Sequence, residues 1–301
     1  MRRLLLGRSW RGRAGRVSLL AVFGLCGAVQ AVGLHLSAPR QSLVGPSPAS
    51  LPAAEAVSFP SESGSVPHGW WVPASKPGGG AVILLHGIGA NRRSMVRRAV
   101  VLHGQGFAVL LFDLQAHGES PGRRITFGWR ESNDAAAALR FVRARVPGEK
   151  VGAIGQSLGG AAALLGPHPL DCDALVLESV FPDIDAARGN RLRVAPGPIV
   201  GPLAAPVLVP LFDLLLPPIL GVGPAGLRPA DRIAAIRSPV LVASGTVDRF
   251  TPPEEARTLF ANAPEPKQLW LVEGAAHVDL EAFGPDEYWR HVLPFLARTL
   301  R

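Results

Sequence analysis

Ser157 stands in Gly155-Gln156-Ser157-Leu158-Gly159, with Gly160 following, directly after the apolar run Val151 to Ile154 and directly before the apolar stretch Leu158 to Leu165. A serine hydroxyl becomes a useful nucleophile only when the backbone projects it and a base can take its proton. Small residues on both sides permit the sharp strand-to-helix turn that does the projecting. A helix N-cap serine, the other role for such a residue, does not need glycines at both 155 and 159. The same turn sets Ser157 at a helix N-terminus, where developing negative charge is favoured.

The base is sought among eight histidines. His277 lies in Glu273-Gly274-Ala275-Ala276-His277-Val278-Asp279, after the last apolar run and before the final helix, so its side chain can return to the edge that carries Ser157. His86 sits in a His-Gly turn and His117 in another loop. A base from the N-terminal half would reverse the order serine, acid, histidine expected for a serine in this setting. Asp248, in Gly245-Thr246-Val247-Asp248-Arg249, follows the run Val240 to Ala243 and precedes the His277 loop. It is the candidate for the carboxylate that fixes the imidazole tautomer and stabilises its cation, although a turn aspartate is also a common role. Glu178 is the second-choice acid and reads rather as an anchor for the base of the insertion that follows it. Acyl transfer also needs donors aimed at an oxyanion. The backbone N–H of Leu158 is one, and the N–H of Ile88, in His86-Gly87-Ile88-Gly89, is the other. His86 then supports that loop through a side-chain hydrogen bond.

The elements that must hold these residues are visible as short apolar runs: Ala81 to Leu85, Phe107 to Phe112, Val151 to Ile154, Ala174 to Leu177, Val240 to Ala243 and Gln268 to Val272. Runs that are apolar throughout read as strands buried on both faces, hence a largely parallel sheet. Helical stretches at Asn91 to Gln105, Arg130 to Arg145, Leu158 to Leu165, Pro253 to Asn262 and Pro285 to Leu300 alternate with them, so the fold class is α/β with helices on both sides of the sheet. Val66 to Val72 suits an antiparallel edge strand. Residues 182–231 break the alternation. Val194 to Leu227 hold eight prolines and one charged residue, Asp213. A connection of this length is functional or disordered, and its apolarity points to a short lid over the sheet's carboxyl edge. The prolines argue against a continuous membrane-crossing helix there.

The formal charge of +8 is unevenly placed. Seven arginines fall in the first 40 residues with no acid, leaving 24 basic against 23 acidic groups beyond them. The body is close to neutral, which argues against nucleic acid as a partner. Six of those arginines precede Val17 to Leu36, a run without a charged side chain, the order of an export signal or a single membrane anchor. Residues 1–36 are therefore read as signal peptide or N-terminal anchor, with cleavage after Ala31 as one outcome, and the main domain is expected outside the cytoplasm. Residues 37–56, rich in Pro, Ser and Ala, read as a linker, and 57–301 as the globular domain. Two cysteines, Cys26 and Cys172, make neither a disulfide framework nor a four-ligand zinc site. Trp70, Trp71, Trp129, Trp270 and Trp289 read as core, with pocket lining as the alternative.

The set L-L-H-G-I-G-A-N, D-L-Q-A-H-G-E-S, G-Q-S-L-G-G, P-V-L-V-A-S-G-T-V-D and E-G-A-A-H resembles the α/β-hydrolase superfamily, and more narrowly the serine-aminopeptidase-like (peptidase S33 type) and BEM46-like hydrolases. The resemblance covers roughly residues 57–301. It implies the α/β-hydrolase fold with about eight strands and catalytic loops at their carboxyl ends, without implying peptidase activity. Serine at the elbow departs from the branches that place aspartate there. The expected chemistry is hydrolysis of an ester, thioester or amide through an acyl-enzyme, with no cofactor and no metal, on a small acyl substrate of hydrophobic character. The rival class is an exported interaction protein that kept the scaffold without its chemistry. A membrane-surface binder is a third.

Overall fold

The computed structural model describes residues 3–194 and 200–301, with side chains described from residue 19 onward except at 201 and 202. Ten strands are present among these residues: β1 (Arg40–Gln41), β2 (Glu55–Ser58), β3 (His68–Val72), β4 (Ala81–Leu85), β5 (Ala108–Phe112), β6 (His117–Gly118), β7 (Val151–Gln156), β8 (Ala174–Glu178), β9 (Val240–Gly245) and β10 (Lys267–Val272). Eight form one sheet in the order β10-β9-β8-β7-β4-β5-β3-β2. The six from β10 to β5 run parallel, and β3 and β2 complete the edge antiparallel. Because β4, β7, β8, β9 and β10 are parallel, the residues that follow each of them emerge along one edge.

Five of the six apolar runs became strands buried on both faces, while β10, at the sheet edge, buries only Trp270 and Val272. Along β4, Ala81, Ile83 and Leu85 enter one core cluster while Val82 and Leu84 enter the other, the period of two that a strand imposes. The helices are α1 (Arg3–Leu36), α2 (Val96–Gly104), α3 (Glu131–Arg145), α4 (Leu158–Leu164), α5 (Ile184–Val194), α6 (Val200–Leu215), α7 (Pro217–Leu220), α8 (Pro229–Arg232), α9 (Pro253–Asn262), α10 (Leu280–Phe283) and α11 (Pro285–Leu300). Buried residues of α3, α4 and α9 pack on the first face of the sheet, those of α2 and α11 on the second. Both α9 and α11 begin at a proline, whose missing N–H costs nothing in the first turn.

One expectation from the sequence needs correction. Residues 37–56 are not a free linker: β1 pairs in parallel with β6, Glu119 accepts the N–H groups of Val44 and Gly45, each at 3.0 Å, and Val44 and Leu51 are buried. Their few apolar side chains suffice to seat a stretch whose average composition looks like a tether. In the insertion between β8 and β9, the prolines still leave room for a helix of 16 residues, shorter than a membrane span. α6 continues through Pro206 and Pro210, because its opposite face, with Phe212 and the following Leu216 buried, holds it against the core. Trp70, Trp71 and Trp270 are buried core residues. Cys172 is buried as well, its thiol pushed up to about 12 by desolvation, so it is an inert small hydrophobe.

Candidate active site

Ser157 lies between β7 and α4 with φ +48° and ψ −107°. This left-handed φ is unfavourable for a side chain with a Cβ. The neighbouring glycines explain how the chain passes through it. A Cβ on Gly159 would stand 2.2 Å from the carbonyl oxygen of Leu85, and one on Gly155 would stand 2.6 Å from Gly160. The elbow is thus pressed onto β4 and onto itself, leaving no room for side chains at 155 and 159. The N–H of Ser157 donates to the carbonyl of Glu178 at 2.7 Å, fixing the turn to the end of β8.

The last two strands deliver the other candidates. Asp248 follows β9 and His277 follows β10, and His277 Nδ1 lies 2.7 Å from Asp248 Oδ2. The carboxylate is fully enclosed, whereas the imidazole retains 22% exposure, so only the histidine reaches the open side of the pair. Asp248 is held on every lone pair that faces the protein. Its Oδ1 accepts the N–H groups of Phe250 at 2.8 Å and Thr251 at 2.9 Å, and its Oδ2 accepts the Thr251 hydroxyl at 2.6 Å. Burial pushes the carboxyl up, but the bonds from His277 and Thr251 outweigh it and carry it below the usual carboxylate range. An acceptor-only carboxylate obliges Nδ1 to carry the hydrogen, leaving Nε2 as the lone-pair nitrogen. Among the described residues, no hydrogen bond joins Ser157 to His277. Phe250 meets the His277 ring edge-on with centroids 5.7 Å apart, and Arg191, from α5 of the insertion, lies over the other ring at 5.6 Å. Asn190 of the same helix donates to the Phe250 carbonyl at 3.1 Å. The insertion therefore rests directly on the loop that carries Asp248.

His86-Gly87-Ile88 continues from β4, whose Leu85 is in register with Gly155 of β7. A Cβ on Gly87 would be 3.5 Å from the Gln156 side chain, which places the loop beside the elbow. Neither the Ile88 N–H nor the Leu158 N–H has an acceptor among the described residues. His86 is sealed in the interior. Its Nδ1 donates to the carbonyl of Gly87 at 2.8 Å and its Nε2 accepts from the N–H of Leu114 at 3.1 Å. Burial, with the neighbouring His117 as a smaller cause, lowers it to about 3, so it is neutral. His117 packs against it with ring centroids 5.1 Å apart and is also lowered by burial. Both are internal ties.

Glu178 does not support the insertion. It accepts from Arg98 Nη2 at 2.7 Å and from the Tyr288 hydroxyl, while Arg98 also reaches both oxygens of Asp279, at 2.7 and 3.1 Å. No local pattern reveals this centre, because Arg98 lies 80 to 190 positions from its partners. Thr251 was equally unforeseen, though its position three residues after Asp248 is the spacing of a local hydroxyl tie. Among the described residues no group of three or more His, Cys, Asp or Glu side chains is arranged to hold a metal ion. A recess of about 480 Å³ lined by Lys150, Asp173 and Arg298 lies at the sheet's opposite edge, away from Ser157.

Comparison with known proteins places this geometry in a family context. The family model for serine aminopeptidase, S33, matches residues 77–209. The uncharacterized protein Rv2307c of Mycobacterium tuberculosis is 32% identical over 241 residues, 79% of this chain and 78% of that protein. The alpha/beta hydrolase domain-containing protein WAV2 of Arabidopsis thaliana is 28% identical over 242 residues, 77% of this chain and 74% of its own. Among solved structures, the Pyrococcus furiosus esterase Pf2001 superposes with a TM-score of 0.70 at 24% identity, covering 88% of this chain and 99% of that one.

Proposed function

We propose, for a chain that belongs to the α/β-hydrolase superfamily, the hydrolysis of a carboxylic ester, thioester or amide through an acyl-enzyme on Ser157. In this reading His277 Nε2 takes the hydroxyl proton as Oγ bonds to the carbonyl carbon. The carbonyl oxygen becomes an oxyanion that receives the N–H groups of Ile88 and Leu158. His277 then returns its proton to the leaving group as the tetrahedral centre collapses to the acyl-enzyme. Water repeats the sequence, losing a proton to His277 and releasing the acid and free serine. Asp248 keeps Nδ1 protonated and faces the imidazolium while the proton is held.

The observation that supports this most strongly is the Asp248–His277 pair at 2.7 Å, set on the same sheet edge as a serine with φ +48°. A scaffold without chemistry has no need of a strained serine beside two backbone donors without acceptors. Labelling with a fluorophosphonate probe tests it: wild type should react and Ser157→Ala should not, and an unlabelled wild type would leave the interaction-protein reading standing. The esterase identity of the Pyrococcus protein makes small p-nitrophenyl esters the first substrates to assay.

The chain organisation belongs to the same proposal: residues 1–36 as the exporting or anchoring segment, a hydrolase domain behind it, and 182–231 as a lid. Leu19–Leu36 has a mean hydropathy of 1.9 and is long enough to cross a membrane.

A further inference from the structure

The apolar half of α1 touches α6. Where it is buried, α1 uses one stripe: Cys26 is half-buried, and Val29, Gly33 and Ser37 are buried, at spacings of three and four. That stripe faces α6 and the residue after it. A Cβ on Gly33 would meet the Leu216 side chain at 2.0 Å, and Val29 joins the same core cluster as Phe212 and Leu216. The end of α1 is further fixed where the Ser37 hydroxyl donates to Gly33 O at 2.8 Å and Ser37 O accepts from Ile125 N at 2.8 Å. Cleavage after Ala31 would strip Val29 from this packing.

The outer stripe of α6 is formed by Val200, Leu203, Pro206, Val207, Pro210 and Leu214, all exposed and all apolar. A helix on a water-facing surface carries polar residues there. Asp213, the one charge of α6, is turned aside from the stripe and paired with Arg188 of α5. The exposed large hydrophobics of α1, among them Leu19, Leu20, Val22 and Phe23, continue the apolar surface away from the body.

We infer that the outer face of α6 docks into the bilayer leaflet from which α1 emerges, so that the insertion over Ser157 lies on the membrane. The depth agrees. An apolar helix spans the hydrocarbon in about 20 residues at ~1.5 Å each, so Val29 and Gly33 lie within roughly 10 Å of the exit end at Leu36. That is the depth, about 5–10 Å, to which interfacial apolar helices sink. α6 touches α1 at that level. The six arginines ahead of the apolar run hold the other end of α1 at the opposite, cytoplasmic face. Taken with the acyl-transfer reading, on which this part rests, the substrate class is an ester whose acyl chain resides in that leaflet.

The test uses the full chain in vesicles of phosphatidylcholine with a minor share of phosphatidylglycerol. In a Cys26→Ala background, single cysteines replace Leu203, Val207 or Leu214, with Glu254→Cys as the exposed control, each carrying an environment-sensitive fluorophore. Nitroxide lipids should quench the three lid positions several-fold more than position 254, and iodide the reverse; iodide quenching equal at all four positions overturns the docking. The combined Leu203→Asp, Val207→Asp, Leu214→Asp variant should keep turnover of soluble p-nitrophenyl acetate and lose more than about ten-fold on a vesicle-embedded long-chain ester. Unchanged turnover of the embedded ester, or equal loss on both, overturns the delivery role. Failure of the wild type on every ester would sink the acyl-transfer reading without touching the quenching result.

Discussion

Two charge centres stand at the carboxyl edge of this sheet, one strand apart, and they are built for opposite ends. In the Asp248 centre a sealed carboxylate faces an imidazole that keeps a path to solvent. In the Glu178 centre the carboxylate, Arg98 and Tyr288 are all closed off, with Asp279 on the rim. A guanidinium does not release its proton. Burial opposes the charge on Arg98, but Glu178, Tyr288 and Asp279 outweigh it and raise its affinity for the proton still further. The pair with a transferable proton is open, and the group without one fixes shape: Asp279 ties the His277 loop, Glu178 the strand that receives the Ser157 N–H. In the proposed mechanism, what each centre can do depends on which cation answers the carboxylate.

That division can be broken at graded cost. Ser157→Ala should have the largest effect, lowering kcat on p-nitrophenyl esters by about 10⁴-fold or more with an unchanged melting curve; retained turnover would remove Ser157 from the mechanism. Asp248→Asn should follow with a loss of about 10³- to 10⁴-fold, since the tautomer and the imidazolium both lose their support. Arg98→Met moves the comparison to its other side. Glu178 would be left buried with only Tyr288, and denaturant titration should report about 3–5 kcal/mol of lost stability, while the folded fraction keeps its rate within about ten-fold. A rate loss as deep as that of Asp248→Asn, without instability, would mean the two centres are not divided as described. Thr251→Val should cost roughly 1 kcal/mol in stability through the lost hydrogen bond to Asp248 Oδ2, which keeps only His277, measured the same way.

Away from these two centres, stability also depends on pH. Burial raises Asp134 to about 7 although Ser61, Ser63 and the Gln115 N–H bind it, and burial likewise raises Glu255 to about 7. Unfolded carboxyls titrate near 4, so between about pH 4 and 7 the folded state holds protons that the unfolded state has released. Stability from these two groups falls as pH rises through that window. Asp248 has the opposite sign but acts lower: its contribution is present above the unfolded value and disappears only as pH drops through its depressed one. Urea midpoints at pH 5 should exceed those at pH 8, and Asp134→Asn should narrow the gap; an unchanged gap would relocate its origin.

Local pattern made much of this legible. Ser157, Asp248 and His277 each follow a short apolar run, and parallel strands bring such positions to one edge. The bounds Pro253–Asn262 and Pro285–Leu300 were readable because proline marks a first turn and the apolar spacing continues from it. What escaped was non-local or carried by few residues. Arg98 gains its meaning only from Glu178, Asp279 and Tyr288, far along the chain. Val44 and Leu51 are two side chains in a polar stretch, and no average over 37–56 reveals that they are buried. α6 was hidden by Pro206 and Pro210, which lie on its outer stripe, where the missing hydrogen bonds leave the packed face intact.

The contact between Gly159 and the Leu85 carbonyl has a consequence for how this enzyme class can change. Leu85 leads into the Ile88 loop and Gly155 into the elbow, and the two residues are neighbours in one parallel register. The sheet acts as a caliper. In the proposed mechanism, the gap between Ser157 and the N–H groups of Ile88 and Leu158 is gauged by strand pairing and one glycine, with no part played by the insertion. Residues 182–231 can therefore be exchanged, lengthened or reshaped without resetting that gap, which frees the choice of substrate to drift while the reacting distances stay put.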